Sequence, residues 1–290
     1  MSLFIIGCGY VGRRVASEYL QRKIPVQGVV RTPESAAQLK SLGIDAHILD
    51  LDSAELTGPS LEGSQLFYFA PPPPEGETDT RVRNLIAAFD RLGHPARIVY
   101  LSTTGVYGDC NGEWVDETRL PAPTVPRALR RWDAEQAFSL WRQENGQELV
   151  ILRVAGIYGP GKLPLERLRK GLPLVRESEA PYSNRIHADD LVQICIAAME
   201  RGLDGERYNV SDGHPSTMTN YFIRLADTAG LPCPPLISLA EGEQQLSAGM
   251  MSYMRESRRL DNRKMLQELG VELRYPDLET GLAACFDETK

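Results

Sequence analysis

Short apolar runs alternate with stretches of helical periodicity through the first half of this 290-residue chain. The runs at 3–6, 26–30, 46–49, 66–70, 98–102 and 149–153 are apolar on most successive positions. That pattern predicts strands covered on both faces, because a half-exposed strand alternates apolar with polar residues. Between them, Val82, Leu85, Ile86, Phe89 and Leu92 recur at helical spacing. Leu129, Trp132 and Leu140 do the same, with Gln136 the one polar residue on their stripe. Strand–helix alternation of this kind predicts an α/β fold, a Rossmann-type doubly wound parallel sheet. Its ligand site lies beyond the carboxyl ends of the strands.

The second half reads differently. Gly159-Pro160-Gly161 breaks the alternation, and a loop-rich stretch runs to about residue 184. A helix is predicted over 190–201, a short strand over 208–210, a helix over 218–229 and the last helix over 262–269. Leu231 to Pro235 is a proline-rich connection, and the run Pro71 to Pro74 reads as a stiff loop at the sheet's carboxyl edge. Met250, Met251, Tyr253 and Met254 read as core or lid packing.

Composition narrows the partners. Thirty-two Lys and Arg against 39 Asp and Glu leave a net charge of −7. This argues against a nucleic-acid or anionic-membrane surface, which needs clustered positive charge, and leaves room for a small phosphate-bearing ligand. The five cysteines, Cys8, Cys110, Cys195, Cys233 and Cys285, form no CxxC pair, and there are four histidines. Neither a disulfide framework nor a metal site is expected, and a reducing cytoplasm is the simplest compartment. No apolar run approaches the ~20 residues that span a bilayer, and no signal-peptide pattern opens the chain.

Gly7-Cys8-Gly9-Tyr10-Val11-Gly12 follows the first predicted strand and opens a helix, the context that gives G-x-G-x-x-G its meaning. Gly7 permits a tight turn, Gly9 lets a pyrophosphate approach the backbone, and Gly12 lets helix and strand pack closely. The helix start at Tyr10 and Val11 offers free N–H groups to phosphate. At the end of the second strand an NAD site usually carries Asp or Glu for the ribose hydroxyls. Here Arg31-Thr32 stands instead, so NADP is expected in preference to NAD, unless Arg31 is a solvated loop residue or stacks on the adenine. Asp50-Leu51 and Ala70-Pro71, after the third and fourth strands, are placed along the same cofactor. Asp50 is read either as acceptor for the adenine amino group or as a helix cap. The expected division is a dinucleotide-binding domain over 1–160, with 206–230 returning to it. A smaller C-terminal substrate lobe comes from 161–205 and 231–290, with the site in the cleft between them.

The fifth strand ends in Ser102-Thr103-Thr104, hydroxyls that stand where a reacting carbonyl would lie and can polarise it; the alternative is that they cap turns. The block continues as Gly105-Val106-Tyr107-Gly108. Further blocks are Trp114 to Glu117, Leu152 to Gly161, Asn184 to Leu191 and Tyr208-Asn209-Val210. In this order the chain resembles the extended short-chain dehydrogenase/reductase superfamily, in its NAD-dependent epimerase/dehydratase family. Within that group it is similar to small bacterial members with a GxGxxG fingerprint. The resemblance implies an oxidoreductase or epimerase for a small polar or nucleotide-linked substrate, working as a monomer or a homodimer.

One departure matters. The family places a Tyr-x-x-x-Lys pair on the helix after the fifth strand, and with Glu135 as the register mark the pair falls on Arg127 and Arg131. No tyrosine lies between Tyr107 and Tyr158, and no lysine between Lys40 and Lys162. Arg131 can hold the nicotinamide ribose, but a guanidinium does not give up its proton. Tyr107, then Tyr158, is the nearest replacement phenol, and the resemblance makes Arg185 the substrate-side cation. His187 is read as structural, and Asp189 or Asp190 as a helix cap. The competing reading is a dinucleotide sensor that keeps the fold without the chemistry. A third is an isomerase or dehydratase with acid and base groups from the C-terminal lobe.

Overall fold

A computed structural model describes residues 2–287. Seven strands form one fully parallel sheet: β1 (Leu3–Ile6), β2 (Val26–Val30), β3 (Asp45–Ile48), β4 (Gln65–Tyr68), β5 (Arg97–Thr103), β6 (Glu148–Val154) and β7 (Arg207–Val210). Their order is β7-β6-β5-β4-β1-β2-β3. The chain therefore starts in the middle, winds out to β3, crosses back and winds out to β7. The crossover leaves a crevice at the carboxyl ends of β1 and β4, as the apolar runs predict.

Six helices are needed to place the site: α1 (Tyr10–Gln21), α2 (Pro33–Ser41), α3 (Thr80–Leu92), α4 (Pro126–Asn145), α5 (Ala188–Arg201) and α6 (Met218–Thr228). Val15 and Tyr19 of α1, Leu39 of α2 and Leu191 to Met199 of α5 bury one face of the sheet. Val82, Leu85 and Phe89 of α3 with Ala134, Phe138 and Trp141 of α4 bury the other. The stripe on α4 is displaced from the predicted one. Gln136 is exposed and Leu140 is 55% exposed. Phe138 instead packs 5.4 Å from the Tyr68 ring and 5.2 Å from the Tyr100 ring. Phe138 fills the space over β4 and β5, and tertiary fit overrides the leucine pattern.

α5, which the sequence assigns to the substrate lobe, lies against α1 and the sheet. α6, expected to return to the nucleotide-binding part, packs on Leu168, Leu174 and Leu282 of the smaller lobe. The helix expected over 262–269 is present as Arg263–Leu269, but it is not the last, since Leu278–Phe286 follows it. Gly281 in its middle weakens the helical signal, yet a Cβ there would overlap the Tyr158 hydroxyl. Met251 and Met254 are buried with Val175, as core packing.

Candidate functional site

The chain turns at Gly7, whose φ is +82° and where a Cβ would come within 2.5 Å of the Ala70 Cα. The N–H groups of Gly7 and Cys8 donate to Val29 O at 3.0 and 3.2 Å and fasten the turn to β2. A Cβ on Gly12 would press on Ile5 Cγ2 at 3.0 Å, so α1 lies on β1 because this residue is glycine. Gly9 differs from both. Its Cβ would meet nothing nearer than Gly7 O at 3.9 Å, and no side chain caps the helix that starts there. The turn thus offers open space beside the uncapped first-turn N–H groups of Tyr10, Val11 and Gly12, a cradle that fits a pyrophosphate. The Tyr10 side chain points elsewhere, donating to Pro160 O at 3.0 Å with the Arg14 guanidinium 4.0 Å above its ring.

Arg31 is exposed at the end of β2, and Thr32 caps α2 by accepting from Ser35 N at 3.3 Å. Asp50 accepts from Asp52 N at 3.1 Å in a turn that no helix follows, so its alternative reading as a helix cap falls away. Leu51 is buried, and its carbonyl accepts from Asn84 at 2.9 Å.

Beyond the carboxyl ends of β5 and β6 lies a cavity of about 680 Å³. Ser102, Thr103 and Thr104 form part of its floor, with Arg127 and Arg131 of α4 on one side and Tyr158 and Arg185 on the other. Ser102 donates its proton to Glu135 at 2.6 Å. Thr103 Oγ1 accepts from Gly105 N at 3.2 Å, which leaves its own proton to give. Thr104 is 6% exposed, and its hydroxyl takes no protein partner among the described residues.

Tyr107 is placed differently from the sequence expectation. It is 1% exposed, donates to Asn209 Oδ1 at 2.8 Å and is not part of the cavity wall. Asn209 in turn donates to Val115 O at 3.1 Å, and its N–H is accepted by Glu117 at 2.7 Å. Three of the blocks that carry the family resemblance therefore meet in one buried network. Burial pushes the Tyr107 phenol up to about 12, which suits a structural hydroxyl.

Arg127 donates to Ser252 Oγ at 2.6 Å, lies 3.8 Å from Glu256 and stacks 4.1 Å over the Tyr253 ring. Arg131 reaches Ala70 O and the Tyr100 hydroxyl, each at 3.3 Å. Arg185 donates to Asn184 O at 2.9 Å and lies 4.6 Å over the Tyr221 ring. Burial lowers the Arg185 pKa, partly offset by the nearby Tyr221 and Asp212, and among the described residues no carboxylate forms an ion pair with it. The sequence reading passed over Glu256 and Arg258, which also line the cavity. Arg258 grips one Glu256 oxygen with both terminal nitrogens at 3.1 Å, while the other oxygen is buried without a partner. Their signal was faint: a lone acidic residue in the basic run Arg255 to Arg259.

The α5 cap is His187, not Asp189 or Asp190: its Nδ1 accepts from Asp189 N at 3.2 Å. Asp190 instead accepts from the N–H groups of Arg274 and Tyr275 at 2.7 and 2.9 Å.

Behind Arg185, Asp212 is 4% exposed and donates its N–H to Arg185 O at 2.8 Å. Burial pushes its carboxyl up to about 7, partly offset by the His214 N–H that it accepts. The folded state therefore holds a proton that the unfolded chain releases near pH 4. The group's contribution to stability is complete below that pH and is lost as pH rises through about 7. Asp212→Asn should remove a slope approaching ~1.4 kcal/mol per pH unit between pH 4 and 7, read by urea unfolding across that range. Parallel curves for the two proteins would contradict it.

The sequence profile of the NAD dependent epimerase/dehydratase family matches residues 80–211. A functionally unknown conserved protein from Silicibacter pomeroyi is 31% identical, with a TM-score of 0.86 over 98% of this chain and 97% of that one. Protein YeeZ of Escherichia coli strain K12 is 26% identical over 291 residues, 94% of this chain and 96% of its own length. The UDP-glucose 4-epimerase of Thermotoga maritima, solved with UDP-glucose, shares the fold at 20% identity. Its TM-score is 0.77 over 98% of this chain and 97% of that one. Among the described residues, no helix is long and apolar enough to cross a membrane.

Proposed function

Because this chain belongs to the NAD-dependent epimerase/dehydratase family of the extended short-chain dehydrogenases/reductases, we propose that it is an NAD(P)-dependent oxidoreductase or epimerase for a small anionic substrate. The observation that carries the reading is the charge of the cavity. Arg127, Arg131, Arg185, Arg258 and Lys162 line it against one carboxylate, Glu256, in a chain of net charge −7. A half-buried cation gains from a counterion, and among the described residues no carboxylate forms an ion pair with Arg185, which is held by Asn184 O and the Tyr221 ring. A substrate carboxylate or phosphate, including the phosphates of a nucleotide-linked sugar, supplies the missing anion.

The bound cofactor supplies the hydride chemistry. In this reading the glycine turn holds its pyrophosphate, Arg31 the 2′-phosphate, Asp50 the adenine amino group and Arg131 the nicotinamide ribose. Thr103 and Thr104 donate to the substrate oxygen, whereas Ser102, its proton given to Glu135, can only accept. Of the two phenols nearest in sequence to the missing tyrosine, Tyr158 lines the cavity and Tyr107 does not. The Tyr158 hydroxyl, however, is turned to Asp277 O at 3.5 Å and burial pushes it well above its ordinary value, so neither is assigned the proton transfer. The second reading, a dinucleotide sensor without turnover, is favoured by the two arginines at the Tyr and Lys positions.

The cofactor assignment is tested by Arg31→Asp. NADP⁺ affinity should fall at least ~30-fold, since a charge-assisted pair is worth ~2 kcal/mol, while NAD⁺ affinity holds or rises. An unchanged ratio of the two dissociation constants would remove Arg31 from the site.

A further inference from the structure

Four consecutive prolines, Pro71 to Pro74, follow β4, and proline has no backbone N–H. Such a segment can be fastened through its carbonyls, and Arg81 does this, its Nη1 donating to Pro71 O at 2.9 Å and Pro72 O at 3.3 Å. The other edge of the same guanidinium lies parallel to the Asp52 carboxylate, Nε to Oδ1 and Nη2 to Oδ2, both at 2.7 Å. Arg81 stands on the first turn of α3 and is 8% exposed. One turn on, Asn84 holds Leu51 O, and from the far side Arg131 holds Ala70 O. The loop after β3 and the proline segment after β4 therefore share one anchor. Arg31 follows Val30, which pairs with Ile48 and accepts from Leu49 N at 2.9 Å, so the turn that carries Asp52 leaves the sheet beside Arg31. Arg81 keeps the Asp52 carboxyl below the usual range, and Arg31 adds to this.

We propose that Arg81 is a positioning residue that sets cofactor preference by keeping Asp52 occupied. This rests on the cofactor reading above, in which the dinucleotide lies across these two segments. With Arg81 present, Asp52 is neutralised by a bidentate partner, and Arg31 stays free for a 2′-phosphate. Without it, Asp52 turns its charge on Arg31, pairing with the cation and repelling the phosphate together. The loss then falls on NADP⁺ more than on NAD⁺, which has no phosphate there. A residue that only held the loops would weaken both cofactors alike.

The test is calorimetric titration of the full chain with NADP⁺ and NAD⁺, with thermal melts to show that each variant is folded. Arg81→Gln should weaken NADP⁺ at least ~10-fold and NAD⁺ by less than ~3-fold. Adding Asp52→Asn should restore the preference for NADP⁺, and Arg81→Lys, which keeps a charge beside Asp52, should retain most of it. Parallel weakening of both cofactors, or no rescue by Asp52→Asn, would overturn the proposal while leaving the cofactor reading intact. Failure of the wild-type protein to bind either cofactor would overturn both.

Discussion

Glu135→Ala should cost about 3–5 kcal/mol of folding stability, the range for removing one partner of a buried ion pair. Glu135 on α4 is 0% exposed and Arg153 on β6 is 1% exposed. Arg153 Nη2 donates to Glu135 Oε2 at 2.7 Å, and Arg153 Nε lies 3.2 and 3.3 Å from the two oxygens. Ser102 donates to Oε1 at 2.6 Å, and Arg207 approaches Oε2 at 3.9 Å. One carboxylate thus closes a triangle among α4, β5 and β6 beneath the cavity floor. Truncation leaves a guanidinium in the core beside the Tyr107 ring, 4.8 Å away, with no counterion and takes away the acceptor of Ser102. A domain with ~5–15 kcal/mol in hand loses a large share of it. Glu135→Gln, which can still accept from Ser102, should cost less. Urea unfolding followed by circular dichroism checks the order; a loss below ~1 kcal/mol for Glu135→Ala would mean the pair contributes nothing net.

The sheet was legible because its signal is local and repeated. The inner strands are short apolar runs, and the observed ends of β4 and β5 differ from the predicted ones by one or two residues. The edge strand β3 (Asp45–Ile48), by contrast, is not covered on both faces as expected, and β7 carries Arg207 and Asn209. The glycine fingerprint was legible for a similar reason: Gly7 and Gly12 answer to steric demands of a turn and a helix–strand contact a few residues away. Long-range arrangements were not legible. Glu135 entered the sequence reading as a register mark, since nothing local shows that Arg153 and Ser102 converge on it. Tyr107 was misplaced for the converse reason. It sits next to the hydroxyl block in sequence, but the turn Thr104–Tyr107 rotates it under the sheet edge toward Asn209. Glu256 and Arg258 reach the cavity from a segment whose packing depends on Val175 and the methionines at 251 and 254. α5 and α6 each have an apolar stripe, and a stripe does not say which surface it will meet.

Gly9→Val should abolish dinucleotide binding without unfolding the protein. At Gly7 a side chain collides with Ala70, and at Gly12 with Ile5, so variants there confuse a lost site with a lost fold. At Gly9 the added Cβ would meet no protein atom nearer than Gly7 O at 3.9 Å. The space a valine would fill is the space through which a pyrophosphate would reach the first-turn N–H groups of α1. The expected loss is at least ~100-fold in affinity, about 2.7 kcal/mol, with a melting temperature close to that of the parent.

Titrating wild-type and Gly9→Val proteins side by side with NADP⁺ in a calorimeter, after removal of any bound nucleotide, tests the central claim most directly. The expected result is saturable binding at one site per chain by the wild type and no detectable heat from a folded Gly9→Val. Equal binding by both would place the dinucleotide somewhere other than the glycine turn. Silence from the wild type with NADP⁺ and NAD⁺ alike would contradict the account of this chain as a dinucleotide-dependent protein.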